Sequence, residues 1–209
     1  MALSNYTELQ VSIADFLNRS DLTSVIPDFI TMCEAEFNRT LRVRDMSVRT
    51  RAPINSQYVK LPSDFIGMRN IDLLTDPVTP MAYKNLQNLD IHRSAHSTGK
   101  PLYYSIMKDN LEFAPAPDGD YTVEIVYYQK IPALSATATN GVNWLLTDHP
   151  DAYLYGSLMH SAPYLQADER VGLWAGKYQQ VIQQIISSDE KAKFSGSCLL
   201  YTSPSPRDS

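Results

Sequence analysis

The chain has 209 residues, 44% of them hydrophobic and 20% charged, and carries a net charge of −5. It is long enough for one substantial core or two smaller ones, and its acidity argues against tight, sequence-independent binding to nucleic acid, which needs a basic surface. No apolar run approaches the roughly 18 residues of a membrane span, and MALSNYTELQ lacks the basic and apolar segments of a signal peptide, so no membrane contact and a cytoplasmic site of synthesis are expected.

Leu9, Ile13, Phe16 and Leu17 fall at helical spacing and predict a helix over residues 6–18, with Asn5 and Glu8 set out as a capping box. The loop NRSDLTS leads to Pro27, a good first-turn residue. From there Ile26, Phe29, Ile30, Cys33, Phe37 and Leu41 trace the apolar stripe of a longer helix, which pairs with the first as a hairpin. Cys33 is expected to be a small buried core residue. The stretch RTLRVRDMSVRTR then brings Arg39, Arg42, Arg44, Arg49 and Arg51 close together. No aromatics interleave them as in single-strand binders, so a solvated face or an interface with acidic residues is the better reading.

After Leu41 the period changes from 3.6 to 2. Met46 and Val48, then Tyr58, Val59 and Leu61, mark short strands separated by APINSQ, read as a turn. DFIGMRNIDLLTD supplies a strand with Ile66, Met68, Ile71 and Leu73, and residues 84–95 a short helix with Leu86, Leu89 and Ile91. PLYYSIMKDN and LEFAP form two strands around a turn at Lys108–Asn110, and YTVEIVYYQKI alternates most clearly of all. One sheet of five or six antiparallel strands is the simplest assembly. Residues 132–146 read as a long loop. Asp148 is then expected to cap a helix with Pro150 in its first turn, kinked or ended by Pro163, and a last helix is expected over 168–191.

The predicted fold is α+β: amino- and carboxy-terminal helices forming a helical bundle, with an inserted antiparallel β lobe. The divisions are a helical hairpin at 1–45, the β lobe at 46–132, a loop at 133–147, carboxy-terminal helices at 148–194 and a disordered 195–209. Within that tail, Cys198 to Asp208 back-translates in one frame to a transposase adapter used in sequencing libraries. Adapter read-through is therefore expected there, with the natural terminus lost and Cys198 without chemical meaning. Only Cys33 then remains, which rules out a disulfide or a cysteine metal cluster.

Catalytic patterns are missing. His92 and His96 stand four apart, but position 93 is Arg where a metalloprotease needs Glu. There is no GxxxxGK, GxGxxG or GxSxG spacing, and Asp118 and Asp120 fit a turn better than a carboxylate pair. No enzyme, cofactor or metal is expected. Tyrosine and tryptophan favour interfaces as well as cores, and Trp144, Tyr153 and Tyr155 join Arg39, Arg42, Arg44, Arg49 and Arg51 as interface candidates.

LPSDF with Arg69 and Ile71 after it, the hairpin Phe113 to Gly119, and PDAYLYGSL with its following helix carry a resemblance over about residues 5–190. Together they resemble the adaptor proteins that join portal to tail in tailed bacteriophages, of the SU10 type and, more distantly, tail tubular protein A. The resemblance implies a virion neck protein. Twelve copies would ring the portal, extend a channel that double-stranded DNA passes without tight binding, and present a platform to nozzle or tail proteins. The helical part and the carboxy-terminal tail would meet the portal, and the sheet lobe would meet neighbouring copies. The arginines between Arg39 and Arg51 are the candidates for contacts between subunits, and exchanging Arg42 and Arg44 together for glutamate is expected to leave the fold intact but to prevent ring formation. Another minor virion or tail-attachment protein remains the alternative, and an enzyme of unfamiliar type a more distant one.

Overall fold

Asn5 opens the first helix, its side chain accepting the Glu8 N–H at 3.0 Å in a computed structural model that describes residues 3–95, 97–165 and 169–194. Glu8 reaches back to the N–H of Ser4 and not of Asn5, so the capping box is displaced by one residue. The chain divides into two compact units, one from its two ends, Met1–Asp45 with Ile131–Ser209, and one from Met46–Lys130. Among the described residues they hold six α-helices and two four-stranded sheets, an α+β composition.

The first unit contains α1 (Tyr6–Leu17) and α2 (Ile26–Thr40), and the returning chain adds α4 (Trp144–Asp148), α5 (Pro150–His160) and α6 (Arg170–Phe194). Pro27 lies in the first turn of α2, where its missing N–H costs nothing. The whole stripe from Ile26 to Leu41 is buried. Helix α5 packs against α1, α2, α4 and α6. Gly156 lies against two of these neighbours: an added Cβ would stand 2.3 Å from the Cys33 sulfur of α2 and 3.0 Å from the Tyr178 ring of α6. A side chain cannot occupy that space, so glycine is required by packing and not by backbone conformation.

Two expectations fail here. Residues 133–147 are not one long loop: Asn143 accepts the Leu146 N–H at 2.9 Å and so caps α4, a start signal hidden by the lack of periodicity around it. In consequence Asp148 is the last residue of α4, and His149 occupies the N-cap of α5. The loop before α4 is anchored too, because the Tyr6 N–H donates to Gly141 O at 2.7 Å.

The second unit is a two-layered sandwich with a helix on one face. Sheet one has the order β1 (Ser47–Ile54), β8 (Tyr121–Gln129), β3 (Phe65–Leu73), β4 (Thr79–Pro80). Sheet two has the order β2 (Tyr58–Lys60), β7 (Asn110–Ala114), β6 (Tyr103–Met107), β5 (Ala82–Tyr83). A single antiparallel sheet was expected; there are two, and β5 pairs with β6 in parallel. Alternation reports that one face of each strand is buried but not which strand lies beside it. Ile71, Leu73, Val123 and Ile125 of the first sheet form one buried cluster with Tyr104, Leu111 and Phe113 of the second.

Two local departures have clear causes. APINSQ is only half a turn: Ala52, Pro53 and Ile54 continue β1, and Pro53 is tolerated because β1 is an edge strand. In β3, Met68 and Ile71 are three apart yet oppose Tyr127 and Ile125 on one face, because a bulge between Met68 and Asn70 absorbs the extra residue. Helix α3 (Leu86–Ala95) covers sheet two. Arg93 donates to the buried Glu112 of β7 at 2.6 Å, Gln57 donates to the same carboxylate at 3.0 Å, and His92 stacks on Tyr103 at 4.0 Å. Leu89 is buried under this helix, whereas Leu86 and Ile91 are exposed.

Gly156→Ala should lower stability by about 1–3 kcal/mol through overpacking. Cys33→Ala in the same chain should recover part of that loss, leaving the Tyr178 contact unrelieved; thermal unfolding of the two single variants and the double variant measures the coupling.

Candidate functional site

Polar side chains of the first unit concentrate where the chain returns from the β lobe. Asn38, in the last turns of α2, accepts the Ile131 N–H at 2.8 Å. Glu34, one turn earlier, accepts the Leu134 N–H at 2.7 Å. Asn143 donates to Pro132 O at 2.8 Å and to the Tyr153 hydroxyl at 2.7 Å, and that hydroxyl faces Glu34 at 3.5 Å. Burial pushes the Glu34 carboxyl up, against the hydrogen bonds from Leu134 and Tyr153. Burial and the neighbouring Glu34 raise the Tyr153 hydroxyl. These hydrogen bonds pair the buried carboxylate, amide and hydroxyl of Glu34, Asn143 and Tyr153 with one another and with the returning backbone.

The five arginines of the sequence cluster are shared between the two units and meet different partners. Arg39 lies exposed in the last turn of α2. Arg42 turns back on its own helix and donates to the carbonyl of Asn38 at 2.9 Å, satisfying an end of α2. Arg44 is held by Asp189 of α6, through its side chain at 2.8 Å and its backbone N–H at 3.1 Å. Lys193 closes on the other oxygen of Asp189 at 2.6 Å. Burial pushes the Asp189 carboxyl up, but these three hydrogen bonds outweigh it and hold the group below the usual carboxylate range.

Arg49 and Arg51 project from the outer face of β1 and fork around Glu124 of β8, each at 3.0 Å. Arg69, on β3, extends the same face: it donates to Ser47 at 2.8 Å and lies over the Tyr128 ring at 5.2 Å. The sequence cluster did not include Arg69; only strand pairing brings it beside the others. Of the aromatic candidates, Tyr153 is fully buried in its own unit, edge-on to Phe37 at 5.0 Å. It presents no surface to a partner. Trp144 and Tyr155 are half-buried.

Among the described residues no group of three or more histidines, cysteines or acids could hold a metal ion, and no helix is long and apolar enough to cross a membrane. His160 meets Glu36 at 2.9 Å. His96, Asp168 and the residues from 195 onward, including the adapter-like 198–208, lie outside the described residues. Cys33 is buried and its thiol is pushed up by that burial, which leaves it unreactive.

The model of the family described as SU10 adaptor protein matches residues 4–198, which span both units. The chain belongs to this family of bacteriophage head-to-tail adaptors. No curated protein matches it. The motifs behind the resemblance are architectural in this adaptor. Asp64 of LPSDF accepts the Tyr127 hydroxyl at 3.1 Å and its carbonyl accepts the Lys130 N–H at 2.7 Å. Burial, followed by Asp64, pushes the Tyr127 hydroxyl up to about 12. PDAYLYGSL carries both Tyr153 and Gly156.

Glutamate at position 44 would face the buried Asp189 carboxylate within the same unit, so a charge reversal there is expected to destabilise the fold and not to spare it. Arg44→Glu should lower the melting temperature at pH 7 by several degrees, while Arg39→Glu leaves it unchanged. The depressed Asp189 contributes stability that is complete above the ordinary carboxylate pKa of about 3.9 and is lost as pH falls through its folded value. Asp189→Asn should therefore unfold more easily at pH 7, and its deficit should shrink below pH 4. Glu34 has the opposite sign, costing stability as pH rises through its raised folded value. Glu34→Gln, which keeps the acceptor, should match or exceed the wild type at pH 8; Glu34→Ala, which orphans the Leu134 N–H, should lose about 1–3 kcal/mol in denaturant unfolding.

Proposed function

We propose that the protein is a structural component of the virion neck that binds the portal, assembles there as a ring of copies, twelve being the number implied by its family, and offers a platform to nozzle or tail proteins. The observation that carries this reading is the family match across both units. It is made in the host cytoplasm and joins the particle during assembly. The helices of the first unit act as a bundle around α5, with the β lobe as the insertion. The polar groups at the chain return and at Asp189 are consumed within the subunit, in keeping with a role in holding shape and not in catalysis.

DNA passes through the ring without being gripped. Sequence-independent binding rests on phosphate neutralisation by lysine and arginine, and three of the five clustered arginines are already paired with Asp189 or Glu124. The open interface candidates are Arg39, on the surface of α2, and the Arg49–Arg51–Arg69 face of the β lobe, with Trp144 at the start of α4 and Tyr155 midway along α5.

Mass photometry of the gene product, alone and mixed with the portal protein encoded in the same phage genome, tests the proposal. A saturating, ring-sized load on the portal is the expected result; absence of any portal-bound species would remove the reading.

A further inference from the structure

The β lobe contains a cavity of about 510 Å³ whose lining combines an apolar floor with lysines. Leu61, Pro62, Phe65 and Ile106 form the floor; Lys60, Lys108 and Lys130 stand on the rim, accompanied by one acid, Asp109. The LPSDF segment shapes this cavity, since the Leu61 N–H donates to Asp109 O and the Phe65 N–H to Pro62 O. None of the three lysines has an ion-pair partner among the described residues, in contrast to Arg44, Arg49, Arg51 and Arg93. An apolar floor does not suit a phosphate backbone. It suits a polypeptide that brings an apolar side chain with carboxylates around it.

The chain itself carries such a surface. Residues 46–130 are charge-balanced, with nine lysines and arginines against nine aspartates and glutamates, whereas the remainder has nine against fourteen. The whole acidic excess belongs to the helical unit. Within it α1 contains no basic residue, and Glu8, Val11 and Asp15 share one helical face at spacings of three and four. Val11 is 55% exposed on that face, opposite the buried Leu9, Ile13 and Leu17. Two different, complementary patches on one molecule are what a head-to-tail ring contact requires.

We propose that the lysine-rimmed cavity of the β lobe receives the acidic α1 face of a second copy, Val11 entering the cavity and Asp15 facing its lysines. This rests on the ring reading above and names the contact that builds the ring. The test uses adaptor copies loaded on the portal, in a Cys198→Ser background. Copies carrying Lys130→Cys are mixed with differently tagged copies carrying Asp15→Cys, and a short bifunctional thiol reagent is added; the buried Cys33 does not compete. A cross-linked pair joining the two tags is the expected result. In parallel, Lys130→Glu and Asp15→Lys should each weaken loading by roughly fivefold, and the two together should restore part of it, all variants being compared at equal melting temperature.

A ring that forms without the cross-link, and in which the two charge changes act independently, overturns the cavity contact and leaves the ring intact. A triple Lys60→Glu, Lys108→Glu, Lys130→Glu variant that loads normally but loses DNA affinity also overturns it, assigning the cavity to phosphate. Absence of any multimeric load by the wild type overturns the ring reading itself.

Discussion

The chain leaves its helical unit after α2 and must come back to it, and the structure depends on how that return is held. Residues 46–130 form a unit of their own, and closing so long an excursion costs conformational entropy that grows with its length. Asn38 and Glu34, one turn apart on α2, accept the backbone N–H groups of Ile131 and Leu134 and so fix the first residues of the returning segment. A buried carboxylate is an expensive acceptor. It is retained where a buried amide needs a partner, and Asn143 and Tyr153 complete its surroundings. The same asparagine caps α4, so the position of the return also sets where the carboxy-terminal helices begin.

From that point packing takes over from hydrogen bonding. Helix α5 is the hub of the first unit, and the bare backbone at Gly156 lets Cys33 and Tyr178 close on it from two other helices. The ends of the unit are tied electrostatically, with Arg44 after α2 and Lys193 at the end of α6 both holding Asp189. These contacts join segments far apart in the chain. They make one unit of its beginning and its end.

The β lobe has a different logic. It buries both its sheets against one another, covers the second with α3, and leaves the outer face of the first open with its arginines only partly neutralised by Glu124. For a head-to-tail adaptor this arrangement is economical: the polar groups that hold the chain return are buried and paired, and the charge left over is on surfaces. In the proposed ring contact, the acidic excess of one unit and the cavity lysines of the other, which have no ion-pair partner among the described residues, would give copies of the chain a direction in which to associate.

Sequence alone determined the elements whose signals are local. The apolar stripe of α2, the Asn5 cap, the glycine-free alternation of Tyr121 to Gln129 and the division into helices, strands and helices follow from periodicity and cap chemistry, which a few neighbouring residues decide. The adaptor family was legible too, because it rests on the order of such elements. Tertiary structure alone decided the rest. Two sheets in place of one, the bulge that turns Met68 and Ile71 to the same face, Arg69 beside Arg49, and Tyr153 in the core all depend on which distant strand or helix lies opposite. Arg44 shows the limit most clearly: in the sequence it is one of five similar charges, and only the approach of Asp189 from the far end of the chain separates it from the others, because an ion pair is a property of distance in space and not of spacing along the chain.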